Sequence, residues 1–162
     1  MVRLVALGLA AYCYLQPAFA FADDAAKLVV GTWRLTSWLI QVVGEQQVTE
    51  PLGPNPKGRL VITTDGYMSA IIAAANRKPA TNNDERAALL NSLLAYTGKY
   101  VVEGDKITIK VDISWNELLT GQDQVRFIKV EGNKLSIRTA EQVSAVYPGK
   151  KVVGTLVWER ER

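Results

Sequence analysis

The sequence predicts an all-β fold: eight antiparallel strands in up-and-down order, closed into a barrel, with one short helix inserted. Three observations carry this. Alternating apolar and polar residues recur in short segments between residues 31 and 160, and a period of two marks a half-buried strand. Tight turn signals separate the segments, among them Asp65-Gly66, Gly104-Asp105 and Gly132-Asn133, and such pairs close hairpins between antiparallel strands. Residues 76–95 alone interrupt this rhythm, with a run of good helix formers.

The chain begins with something other than barrel. Arg3, the apolar run Leu4 to Leu15, Pro17 and the small-x-small sites Ala18-Phe19-Ala20 and Ala20-Phe21-Ala22 read as a secretory signal peptide over residues 1–22. A retained N-terminal anchor is the alternative, although the apolar run is shorter than the roughly 20 residues a spanning helix needs. A tyrosine directly before Cys13 argues against a lipoprotein cleavage site. The barrel domain is then residues 23–162, a size that suits one domain, and the expected location is the periplasm or the cell exterior.

Removing the leader takes away Arg3 and the only cysteine, Cys13, and lowers the net charge from +3 to +2. The chain has no histidine at all. The remainder therefore forms no disulfide and has no Cys or His for a zinc, copper or haem site. Ser-His-Asp and Cys-His nucleophile systems are excluded too. No metal and no cofactor is expected. The basic pairs Arg77-Lys78 and Lys150-Lys151 are isolated from each other and from aromatics, so no nucleic-acid surface is expected. There is no P-loop, dinucleotide fingerprint or EF-hand loop.

Taken in order, Asp23 to Lys27 is a polar lead ending in a short turn of helix. Gly31 to Val43 is the first strand, with Trp33, Leu35, Ser37, Leu39, Gln41 and Val43 on one face. Pro51 to Gly58 holds three prolines and two glycines and forms an ordered loop at a barrel mouth, because proline has no ladder donor. Arg59 to Thr64 and Tyr67 to Ala73 form the first tight hairpin. A helix of about 12 residues follows, capped by Asn82 or Asn83, with Asn82 and Glu85 fitting a capping box, its leucines laid on the barrel. Tyr96 to Glu103 and Lys106 to Ser114 form the next hairpin, the latter with Ile107, Ile109, Val111 and Ile113 facing in. Gln122 to Glu131 and Lys134 to Ala140 come next. Val125 and Phe127 conflict in phase with Ile128 and Val130, which suggests a bulge. Val152 to Arg160 closes the barrel.

Gly31-x-Trp33 at the start of the first strand, with Arg160 at the end of the last, resembles the lipocalin and calycin signature. That resemblance implies a tryptophan across the barrel floor and an arginine packed on its ring, a contact of about 0.5–2 kcal/mol. A tighter resemblance runs through five blocks in order: Leu28 to Leu35, Pro51 to Gly58, Thr64 to Ala70, Ala95 to Tyr100 and Leu156 to Arg160. Together they are similar to the lipocalin-like domain family of bacteria and fungi. The resemblance implies the barrel and assigns no activity. The leader departs from the pattern of that family.

An eight-stranded barrel has room for its own side chains or for one small ligand. The lumen-facing set from the alternation is Leu35, Ser37, Leu39, Tyr67, Ser69, Ile71, Tyr96, Tyr100, Ile109, Val111, Phe127, Ile137 and Trp158, apolar with a few hydroxyls as in small-molecule pockets. The candidate ligand-binding residues are Tyr67, Tyr96, Tyr100, Arg126, Phe127 and Leu39. The expected partner is a small hydrophobic or amphipathic molecule. A filled core is the competing expectation. A second functional expectation is a cofactor-free isomerase or cyclase, in which Arg126 faces inward beside Tyr67, Tyr96 or Tyr100 and the pocket orients its substrate. Arg126 on a solvent-facing position is the alternative.

Overall fold

The structure, a computed structural model, describes residues 20–143 and 147–161. The leader reading of residues 1–22 lies outside the described residues except for its last three. A helix, α1 (Ala20–Val29), leads into ten strands. These are β1 (Gly31–Val42), β2 (Val48–Thr49), β3 (Lys57–Ile62), β4 (Tyr67–Ala73), β5 (Leu93–Glu103), β6 (Lys106–Ser114), β7 (Asp123–Glu131), β8 (Lys134–Thr139), β9 (Gln142–Val143) and β10 (Lys151–Arg160). Helix α2 (Asn83–Asn91) lies between β4 and β5. β2 and β9 are two-residue rungs on β1 and β10. The other eight strands run in the order β1-β3-β4-β5-β6-β7-β8-β10, and β1 pairs again with β10. The sheet thus closes into the expected antiparallel barrel, and closure leaves no free strand edge among the eight.

Two irregularities set which side chains enter the lumen. In β1, Leu35 pairs with Trp158 and Ser37 with Val157, so Thr36 is an extra residue. An inserted residue reverses the facing of everything beyond it. Trp33 and Leu35 point in before the bulge, and Trp38, Ile40 and Val42 take that role after it. The expected single face fails at this point: Ser37, Leu39 and Gln41 turn outward. In β6, Thr97 pairs with Ile113 and Gly98 with Val111, which makes Asp112 the extra residue. Ile113, expected inside, is 68% exposed as a result. A Cβ on Gly98 would collide with the Lys110 carbonyl oxygen, so this bulge requires a glycine. The bulge expected in β7 is absent: its pairing with β6 and β8 is continuous, with Arg126, Ile128 and Val130 in one phase.

The two ends of the barrel differ. At one end Trp33 is fully buried, and its indole N–H donates to the Val29 carbonyl at 2.8 Å. The Arg160 guanidinium lies 4.0 Å from the Trp33 ring. It also donates to the carbonyls of Val30 and Leu28, each at 2.6 Å. The last turn of α1 leaves carbonyls without helical partners, and Trp33 and Arg160 satisfy them while the positive charge meets the negative end of the helix. Gly31 has φ +143°, and a Cβ there would strike the guanidinium. The polar lead, expected to end in a short turn of helix, is therefore part of a longer helix that stoppers this end.

At the other end lie the β2 rung, the 50–56 loop and α2. Asn82 caps α2, accepting from the Glu85 N–H at 2.9 Å. The Glu85 carboxylate takes the N–H and hydroxyl of Thr81. These bonds hold its pKa below the usual carboxylate value, the Thr81 backbone bond first. The expected leucine face is not formed. Leu93 and Leu94 belong to β5, no residue of α2 is buried, and Leu90 is half exposed.

Candidate functional site

A cavity of about 110 Å³ lies in the lumen. Its floor is Trp158, Leu60, Ile62 and Met68; higher up, Trp38, Ile40, Leu94 and Tyr96 approach the open end. The wall is apolar because the inward phase of each strand is apolar. Arg59 and Val61 flank Leu60, so β3 places Leu60 and Ile62 inside. Antiparallel pairing of Ile62 with Met68 and Leu60 with Ala70 hands that phase to β4. Met68, Ala70 and Ile72 are accordingly buried.

Four polar side chains interrupt this wall: Arg126, Tyr96, Thr139 and Gln142. Arg126 faces inward because its cross-strand neighbours are Ile107 and Thr139, both buried. Its guanidinium donates to the Val125 carbonyl at 2.8 Å and to Gln124 Oε1 at 2.9 Å. Tyr96 is level with Ala70 and Ser114 on the same inner surface. Burial pushes its phenol pKa up, and the nearby Arg126 charge partly opposes that. Tyr96 is thus a neutral donor beside a fixed cation. Thr139 Oγ1 accepts the Gly154 N–H at 2.9 Å and tethers β8 to β10 at the rim. Lower down, the Trp158 indole N–H is buried with no hydrogen-bond partner.

Of the six residues singled out from sequence, the structure brings Tyr96 and Arg126 together on the cavity wall. Tyr100 also faces inward, opposite Ile109. It sits nearer the stoppered end and donates its hydroxyl to the Thr63 carbonyl at 2.8 Å. Burial raises its pKa, and Asp65 adds to that. Leu39 points outward because of the Thr36 bulge. Tyr67 is 40% exposed, on the outer surface under the Lys99 ammonium, because β4 buries its even-numbered residues. Ser69 and Ile71 turn outward with it. Phe127 is 38% exposed, since Arg126 and Ile128 hold the inner phase of β7. Tyr67 starts β4 beside the hairpin at the stoppered end.

Alternation alone missed Trp38, Ile40, Met68, Ala70, Ile72 and Thr139. Two signals point to most of them. Arg34 and Gln41 are both polar yet lie in opposite phases of one strand, so β1 must slip between them. Arg59 fixes the phase of β3, and a tight hairpin carries it to Met68.

A closed barrel, stoppered at one end and holding an apolar cavity in its lumen, is an architecture suited to a small molecule. The chain belongs to the lipocalin-like domain family, whose model matches residues 30–161. That match covers the barrel from the end of α1 to the last strand. No curated protein matches the chain. Among the described residues, no helix is long and apolar enough to cross a membrane.

Proposed function

We propose that the protein is exported by residues 1–22 and binds a small hydrophobic or amphipathic molecule in the barrel lumen, in the periplasm or outside the cell. The supporting observation is the apolar cavity with Arg126 and Tyr96 on its wall. The cavity of about 110 Å³ compares with about 150 Å³ for an engineered apolar cavity that takes up benzene. Pockets for drug-sized ligands are nearer 300–1,000 Å³. The buried part of the ligand is therefore a single ring or a short chain. Cleavage after Ala20 or Ala22 leaves Leu28, Val29 and Val30 in place, and these are the residues that meet Trp33 and Arg160.

The test is an NMR titration of the protein lacking residues 1–22 with p-xylene and heptan-2-one. Shifts concentrated at Met68, Ile107, Ile137 and Leu156 support lumen binding; no lumen shift at millimolar ligand overturns it. N-terminal sequencing of protein expressed with its leader checks export: an intact Met1 in the periplasmic fraction or medium rules out cleavage.

The pairing of Tyr96 with Arg126 also favours a second reading, a cofactor-free isomerase or cyclase. Water entering from the open end would take the α-proton, Tyr96 would donate to the enolate oxygen and Arg126 would balance its charge. Exchange of α-protons of a bound ketone for deuterium, lost in Tyr96→Phe, distinguishes this from binding alone.

A further inference from the structure

The polar groups of the lumen are arranged at two levels. Arg126 is level with Thr139 on β8, and Thr139 is bonded to Gly154 of β10. Trp158 lies four residues further along β10, at the floor. Four residues of strand span about 13 Å, or roughly 10 Å along the axis of a barrel with strands tilted near 40°.

Each level has unused donor capacity. A guanidinium carries five N–H groups, and the protein oxygens beside Arg126, Val125 O, Gln124 Oε1 and the Tyr96 hydroxyl, are all uncharged. Among the described residues no carboxylate is paired with it. A charge lining an apolar cavity without a counter-ion is costly, and the Tyr96 hydroxyl beside it is a further neutral donor. At the floor, the Trp158 ring is 1% exposed and its Nε1–H has no acceptor. A buried unpaired donor costs about 1–3 kcal/mol. The cross-strand neighbours of Trp158 are Leu35 and Leu135, which offer no acceptor side chain. A buried water is held by two to four polar partners, and this apolar floor supplies too few. By contrast, the other buried indole, Trp33, is satisfied by Val29.

We infer that the lumen recognises a short carboxylate whose far end carries a carbonyl or ether oxygen: the carboxylate meets Arg126 near the mouth and the oxygen accepts from Trp158 Nε1–H at the floor. This rests on lumen binding as proposed above and specifies the ligand class. The apolar middle of the cavity takes the connecting chain or ring. Tyr96 donates to the second carboxylate oxygen. Binding completes both levels at once, so a ligand with both groups should outbind ligands with either one.

Four probes separate these contributions: 6-oxoheptanoate with both groups, heptanoate with the acid only, heptan-2-one with the carbonyl only, and heptane with neither. Affinities are read by NMR titration, with the Trp158 indole resonance assigned through Trp158→Phe. The keto acid should bind about ten- to a hundredfold tighter than heptan-2-one, as for a charge-assisted hydrogen bond, and about three- to tenfold tighter than heptanoate. It should also move the Trp158 indole proton downfield, whereas heptanoate should not. Arg126→Gln should abolish the preference for the keto acid over heptan-2-one. If all four probes bind in the lumen with equal affinity and the Trp158 indole proton stays in place, the two-point inference is overturned while lumen binding stands. If none of the four shifts a lumen residue, lumen binding itself fails. The indole measurement on the natural chain decides the floor contact even if Trp158→Phe does not fold.

Discussion

Arg160→Met tests the stoppered end most directly. The guanidinium makes three contacts: the Val30 carbonyl, the Leu28 carbonyl and the face of Trp33. A hydrogen bond to a charged group contributes about 1.5–3 kcal/mol when shielded and less in solvent. The Val30 bond is partly buried and the Leu28 bond exposed, so about 1.5 and 0.5 kcal/mol are appropriate. The cation over the indole adds about 1 kcal/mol. Methionine retains part of the aliphatic packing. The expected loss is therefore about 3 kcal/mol, which for a domain of this size lowers Tm by roughly 10 °C. Arg34→Met is the control. Arg34 also pairs across β1 and β10, with Glu159 at 2.5 Å, but both side chains are about half exposed. Exposed pairs contribute about 0–1 kcal/mol, so Tm should fall by about 3 °C or less. Thermal unfolding followed by circular dichroism measures both variants, and amide exchange at Val30 and Gly31 should accelerate only in Arg160→Met. Equal Tm changes in the two variants would refute the assignment of Arg160 to a latch. Adding Trp33→Phe closes a cycle whose coupling energy, about 1 kcal/mol, isolates the ring contact.

Gly98→Ala should abolish soluble expression or cost at least about 3 kcal/mol, the upper end for overpacking, because the collision is with backbone that the β6 bulge holds fixed; wild-type yield and Tm would show the bulge to be adjustable. Leu39→Lys should be tolerated within about 1 kcal/mol while Ile40→Lys should prevent folding, since a second unpaired cation would enter the lumen that already holds Arg126; the reverse result in a denaturant series would place the bulge elsewhere. Tyr96 and Tyr100 both have raised pKa values, so the folded state holds their protons longer than the unfolded state does. Their contribution is complete below the ordinary tyrosine pKa near 10 and is lost as pH rises through the folded values. Stability measured from pH 9 to 12 should fall, and Tyr96→Phe should flatten that fall; an unchanged slope counts against burial of the phenol.

Strand count and turn positions were legible because each depends on local pattern, and the Trp33–Arg160 contact because it is implied by the resemblance to the lipocalin signature. Asp65-Gly66 turns wherever it stands, and alternation survives any register. Side-chain direction was legible only where a strand is regular from end to end. β10 is such a strand, and Trp158 was placed correctly. β1 and β6 each contain one inserted residue, Thr36 and Asp112, and one residue is half a period. Leu39 and Ile113 were misassigned for that reason alone. The phase of β4 was a different problem. Tyr67 and Ile71 are as apolar as Met68 and Ile72, so the strand is ambiguous in isolation and is resolved only by its partner β3. The reach of α2 was overestimated because Leu93 and Leu94 continue its apolar run while belonging to β5.

The two bulges also divide the labour between the ends of the barrel. Without Thr36, the phase set by Trp33 and Leu35 would continue, and Ser37, Leu39 and Gln41 would line the upper lumen. The bulge substitutes Trp38 and Ile40, whose bulk narrows the cavity to a small ligand and keeps its upper wall apolar. Before the bulge, Trp33 and Leu35 are buried in the core and do not line the cavity. Residues before Thr36 therefore serve stability and residues after it serve the ligand. Substitutions at Trp33 and Leu35 should act on Tm first, and those at Trp38 and Ile40 on affinity first. This separation follows from a single extra residue in one strand.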